Sequence, residues 1–209
     1  MKWIIRVLLV INLSTWSAYC LALSEQVSLD QLYEQVSQSR QQGLIDEADE
    51  LAHRLMQAAA ESGSSVQQGK AIFALARNHM ERNQYPQAKN YLNQAIELFQ
   101  GTGNEKWLAD SYRQLGLTYR YQTQYPDALR YIYLAMQIYR QLDDTSSISS
   151  AYNSIGLVTE KMGQYEEAIQ AHQKALELNY QLEDKPGVAS AIYNLGDISK
   201  KKKRYSKRS

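Results

Sequence analysis

Apolar residues along the chain recur three, four and seven positions apart, the spacing that puts them on one face of a helix. Tyr112, Leu115 and Tyr119 make one such stripe, and Ala128, Ile132, Ala135 and Met136 make a second that faces it. The same pair of stripes returns every 40 residues. Leu75, Leu115, Ile155 and Leu195 hold one column, and Ala76, Gly116, Gly156 and Gly196 hold the next. Ala48, Ala88, Ala128 and Ala168 form a third, Ala95, Ala135 and Ala175 a fourth, and Tyr85, Tyr125, Tyr165 and Tyr205 a fifth. A period kept in register over so many columns marks a repeat architecture. The small columns predict close helix crossings, because a larger side chain there would hold the two backbones apart.

Polar residues punctuate the stripes at the same period. Ser64, Asn104, Asp144 and Asp184 are good N-cap residues, and each predicts the start of a first helix. Thr123-Gln124-Tyr125-Pro126-Asp127 predicts the turn to a second helix, with Pro86 and Pro126 in first-turn positions where a missing N–H costs nothing. Asp127, Glu166 and Glu167 suit the same helix end through the dipole. Gly101-Thr102-Gly103-Asn104 reads as a connection rather than a phosphate loop, since Gln141 and Gln181 stand where Gly101 does. Three full helix-turn-helix units follow, at 64–103, 104–143 and 144–183. A looser capping unit at 25–63 keeps Gly43, Ala48 and Met56 but has Gln35 where leucine is expected. An incomplete unit at 184–203 carries a first helix only, with Tyr205 at the turn position, Arg208 in place of the second-helix alanine and a basic tail at 204–209. That ending fits a solvated cap with a frayed basic end, and equally the front part of a longer repeat protein.

These residues resemble the tetratricopeptide repeat (TPR) family. Its aromatic, Leu-Gly, Tyr, Ala and large apolar positions fall on Tyr112, Leu115-Gly116, Tyr119, Ala128 and Ile132. The next unit repeats them as Tyr152, Ile155-Gly156 and Ala168, departing at Thr159 and His172. The resemblance implies an all-α solenoid of about four units and an unpaired terminal helix, whose first helices line a concave surface. On it the groove columns are Phe73, Arg77, Arg113, Leu117, Arg120, Asn153, Leu157, Tyr193 and Asp197, a mixture suited to an extended peptide. TPR domains that clamp the acidic C-termini of chaperones use Lys and Asn where Phe73 and Arg77 stand, so that clamp is not expected.

The first two dozen residues carry a different message. Lys2 and Arg6 precede a stretch from Val7 to Leu23 without charge, and near its end Cys20 with Ala22, or Ala22 with Ser24, put small residues at −3 and −1 of a cut. This predicts a secretory signal over 1–24, cleaved near Leu23 or Glu25. The alternative is an uncleaved anchor over 3–23, which Asn12, Ser14, Thr15 and Ser17 weaken. Tyr19 stands before Cys20, where a lipoprotein signal needs a small residue. One cysteine excludes a disulfide framework, and since either cut removes Cys20, export of a cysteine-free mature chain predicts a bacterial periplasmic location.

The 209 residues have a formal charge of +1, but the total hides a division. Two basic residues lie in the leader and seven in the last ten positions, while all 22 acidic residues lie between. The acidic body argues against nucleic acid as a partner. No phosphate loop, nucleophile elbow or dinucleotide fingerprint is present. His53, His79 and His172 fall on helices of different units without ligand spacing, so packing is expected of them and neither a metal nor a cofactor. The expected function is capture of a protein or peptide without catalysis. The Leu142-Asp143-Asp144 and Leu182-Glu183-Asp184 connections are similar to those of the exported TPR regions of bacterial signalling proteins. The resemblance therefore also admits the sensory front of a diguanylate cyclase or histidine kinase, and an adaptor in envelope assembly.

Overall fold

The computed structural model describes residues 29–205. The leader expected at 1–24 and positions 206–209 lie outside the described residues. Among the described residues nine helices follow in order: α1 over residues 29–41, α2 (Ile45–Glu61), α3 (Ser65–Glu81), α4 (Tyr85–Thr102), α5 (Glu105–Tyr121), α6 (Tyr125–Gln141), α7 (Thr145–Lys161), α8 (Tyr165–Gln181) and α9 (Lys185–Tyr205). No strand occurs among the described residues. The fold is an all-α solenoid in which each helix packs antiparallel to the next.

Eight turns join the helices, and all share one device. Gly43, Gly63, Asn83, Gly103, Thr123, Asp143, Gly163 and Glu183 all have positive φ, between 51° and 78°. They recur every 20 residues, so the 40-residue period is two equal halves. A left-handed residue after the last helical turn satisfies orphan carbonyls and reverses the chain. Glycine adopts that conformation without strain, whereas β-branched Thr123 at φ 61° does so at a cost. Gly103, rather than Gly101, is therefore the glycine that makes its turn; Gly101 is helical. Its true period-mates are Gly63, Asp143 and Glu183.

First helices are capped as their sequences predict, with one exception. Ser64 accepts from the Gln67 N–H, Asp144 from Ser147 at 2.9 Å and Asp184 from Gly187 at 3.1 Å. Asn104 occupies the N-cap of α5 without a side-chain bond to it. The small columns set the helix crossings. A Cβ at Gly116 would lie 2.7 Å from Ile132 and 2.8 Å from the Ala128 carbonyl, so α5 meets the backbone of α6. One at Gly156 would strike the ring of His172, and one at Gly196 would meet nothing within 4 Å.

The last helix departs from expectation. Tyr205 is the last described residue of α9 rather than the start of a turn, and α9 spans 21 described residues where most of the helices before it have 17. Lys203 occupies the column that holds Gly43, Asn83, Thr123 and Gly163, and there the chain stays helical. The basic end is also not simply solvated. Lys201 pairs with Glu160 at 2.6 Å and with Asp197 at 2.5 Å, and Lys202 pairs with Glu166 at 2.5 Å. Two of its lysines are thereby tied to the acidic body.

Candidate functional site

Each interior first helix has a second helix on either side, and α5 also touches both α3 and α7. The first helices therefore form the inner face, and side chains 37 to 41 positions apart become neighbours there. Lys70 pairs with Asp30 at 2.8 Å across α3 and α1, and Asn194 donates to Asn153 at 2.9 Å across α9 and α7.

At the α1–α3–α5 end this contact assembles an aromatic and cationic cluster. Trp107 stands at its centre. Tyr33 meets the Trp107 ring edge-on at 5.1 Å, Phe73 meets it edge-on at 5.4 Å, and Phe99 stacks on it at 5.9 Å. Lys70 lies 5.4 Å above the same ring, a cation–π contact. Beside them, Arg40, Arg77 and Arg113 form a group of three guanidiniums. Arg40 is buried and donates to Asn78 Oδ1 at 3.3 Å and to Ser37 Oγ at 3.2 Å. Arg77 is half-buried, and the Nε of Arg113 is buried without a partner.

The electrostatics follow from that crowding. Burial, and after it the charge of Arg77, bring the Arg40 guanidinium down to about 10. Burial also lowers Arg77; Arg113 adds to the effect, while Tyr33, Glu81 and Asp110 oppose it. The Tyr33 phenol is pushed up to about 12 by burial, against the pull of Arg77 and Arg40. Among the described residues no carboxylate lies within ion-pair distance of these three arginines. Glu81 lies near enough to act on Arg40 and Arg77 through its charge, while Asp110 is engaged elsewhere. Asp110 accepts from the Tyr139 hydroxyl at 2.6 Å, and Asp144 pairs with Lys106 at 2.5 Å. Burial works to raise the Asp144 carboxyl, but the bonds from Lys106 and Ser147 leave it below its ordinary value.

The other groove residues expected from sequence are scattered along this face. Phe73 is 3% exposed and sealed beneath Trp107, so it braces the cluster instead of offering surface. Leu117 and Leu157 are half-buried, Asn153 is engaged by Asn194, and Asp197 is engaged by Lys201. Tyr193 is 74% exposed. Arg120 stands apart from the arginine group. Its guanidinium lies 4.1 Å above Tyr121, which stacks on Tyr85 at 5.1 Å where α5 turns into α6. Sequence reasoning missed Tyr33, Arg40, Lys70 and Trp107. A signal for Trp107 existed, since its period-mates Gln67, Ser147 and Gly187 are small or polar.

The histidines sit apart. His53 contacts the Asp49 carbonyl of its own helix, His79 stacks on Tyr91, and His172 is buried on Gly156. Among the described residues no group of three or more His, Cys, Asp or Glu side chains could hold a metal ion. None of their helices is long and apolar enough to cross a membrane.

The tetratricopeptide repeat family model matches residues 74–141, 107–181 and 147–207, and so spans most of the chain. The chain belongs to the tetratricopeptide repeat family. This TPR protein matches no curated protein. It is similar in fold to BtubC (BKLC) from P. vanneervenii, at 19% identity and a TM-score of 0.70, covering 88% of this chain and 78% of that one. A Rap protein complexed with Competence and Sporulation Factor matches at 18% identity and a TM-score of 0.76, over 84% of this chain and 49% of that one. A putative kinesin light chain of Podosopora anserina with nearly identical TPR-like repeats matches at 16% identity and a TM-score of 0.64, over 86% and 89%. At such identities the likeness is one of fold. The TPR chain spans about half the length of the Rap protein.

Proposed function

We propose that this TPR protein captures an extended, carboxylate-bearing segment of a partner protein on its inner face, and that it acts by binding rather than by catalysis. The observation that supports this is the arginine group. Arg77 and its neighbours are drawn out of water beside one another, and no described carboxylate pairs with them. A ligand carboxylate would relieve that repulsion and accept bidentate, charge-assisted hydrogen bonds. Trp107 and Tyr33 would supply flat apolar surface beside it.

The test is an acidic-peptide array probed with the protein and its Arg77→Glu and Arg113→Glu variants. Reversal should weaken acidic peptides about tenfold or more, as hydrogen bonds to charged groups contribute about 1.5–3 kcal/mol. Equal binding by wild type and variants overturns the reading. The same proposal places the module outside the bacterial cytoplasm, delivered by residues 1–24; its support is the charge pattern of Lys2, Arg6 and the uncharged stretch after them. N-terminal sequencing should find a start near Leu23 or Glu25, and a retained Met1 would contradict it.

A further inference from the structure

On the outer face, successive second helices pack on the first helix between them rather than on one another, which leaves a cleft floored by that first helix. In the α2–α4 cleft, His79 and Tyr91 stack at 5.2 Å with 15° between their planes. In the α4–α6 cleft, their period-mates Tyr119 and Tyr131 stack at 5.3 Å and 5°, and Tyr112 packs on Tyr131 at 6.1 Å. In the α6–α8 cleft the same two columns hold Thr159 and Ala171. Both rings are absent, and a cavity of about 790 Å³ takes their place, lined by Thr159, Ala171 and Tyr152 among others.

The rest of the cleft keeps its form. Tyr152 is the period-mate of Tyr112, and Arg140 donates to its hydroxyl at 3.3 Å just as Gln100 donates to Tyr112 at 2.9 Å. The hydroxyl of Thr159 donates to the carbonyls of Ile155 and Gly156, so it is spent inside its own helix. Leu129, Met136 and Ile155 complete an apolar floor, and Gln164, Gln170 and Gln173 bring amides to the rim. A volume in the range of small-molecule sites, an apolar floor and a few polar rim groups are the usual parts of a ligand pocket.

We propose that the α6–α8 cleft binds a small planar heteroaromatic molecule of one or two rings, which occupies the place of the missing stacked pair. Its ring stacks against Tyr152 over the apolar floor, and its polar edge meets the glutamine amides. The rim charges balance, since Lys174 pairs with Glu177 at 2.8 Å and the lining holds Arg140 and Glu167, one of each sign. A neutral ring therefore suits it better than a highly charged one. The site lies on the opposite side from the arginine group, so either proposal can fail without the other.

The experiment is calorimetric titration of the full chain with indole, adenine and cytosine, with cyclohexanol as the aliphatic comparison. Wild type should bind at least one of the heteroaromatic probes saturably at a single site, and at least tenfold more tightly than cyclohexanol. The double variant T159Y/A171Y refills the cleft and should lose that binding at least tenfold. The converse variant Y119T/Y131A opens the α4–α6 cleft and should raise the stoichiometry from one to two, which tests the idea even if the refilled variant does not fold. Three results overturn the proposal: no saturable binding of any ring, equal binding of cyclohexanol, or undiminished binding by a folded T159Y/A171Y protein.

Discussion

Helices α5 and α9 carry nearly the same stripe but meet different surroundings. Leu115 and Gly116 of α5 are buried against α6, whereas Leu195 is half-buried and Gly196 faces open space. Ile192 and Tyr193 of α9 are likewise 51% and 74% exposed. Helix α7 stands between the two cases, since its Gly156 meets the side chain of His172 where Gly116 meets Ile132. A column therefore records what a helix is shaped to meet, and burial records what it does meet. The same glycine is a packing requirement in α5 and a weakness in α9.

Truncations and substitutions at matched columns should separate these cases. The largest effect is expected of Leu115→Ala, which opens a cavity in the core and should cost about 2–5 kcal/mol, against a much smaller loss for Leu195→Ala. Thermal melting followed by circular dichroism would show it, and equal losses would mean that α9 is covered as fully as α5. Gly116→Val comes next. With the Ala128 carbonyl 2.8 Å from its Cβ, the helices must separate, at a cost of about 1–3 kcal/mol.

The intermediate case is sensitive to acid. His172 is fully buried, neither ring nitrogen has a partner, and burial lowers its pKa while Glu160 opposes that shift. The unfolded chain then binds the proton more readily than the folded one. Stability is complete above the unfolded value and falls as the pH drops through it, toward the lowered folded value. Melting temperature should therefore decline below about pH 6.5, and His172→Ile, which restores the Ile132 pattern, should shrink that decline. An undiminished decline in the variant would assign it to other groups. The smallest effect is a gain. Gly196→Ala has room for its methyl group and should stabilise α9 by about 0.5–1 kcal/mol. A loss instead would show that something closely covers this face.

Much of the solenoid was legible in the sequence because its columns repeat one physical task. Ser64 and Asp144 cap helices, Pro86 and Pro126 open them, and Gly116 and Gly156 admit their partners, each by a local rule. The turns were less legible. Thr123 and Glu183 adopt a backbone conformation that their side chains do not advertise, whereas Asn83 and Asp143 are residue types that tolerate it. The arginine group was half legible: Arg77 on α3 and Arg113 on α5 share a face in the repeat register. Arg40 and Tyr33 join them only because α1 lies against α3 and reaches α5. Phe73 occupies a groove column and is nonetheless buried, because Trp107 covers it from the next unit.

The sequence by itself determined the period, the helical class, the capping and the small contact columns, since each depends on residues within one turn or one unit. Tertiary structure decided which departures from the period matter. Trp107 in place of a small or polar residue creates a surface, and Thr159 and Ala171 in place of rings leave a cavity. Whether a substituted position is filled or empty depends on side chains some 40 residues away, and only packing brings those together.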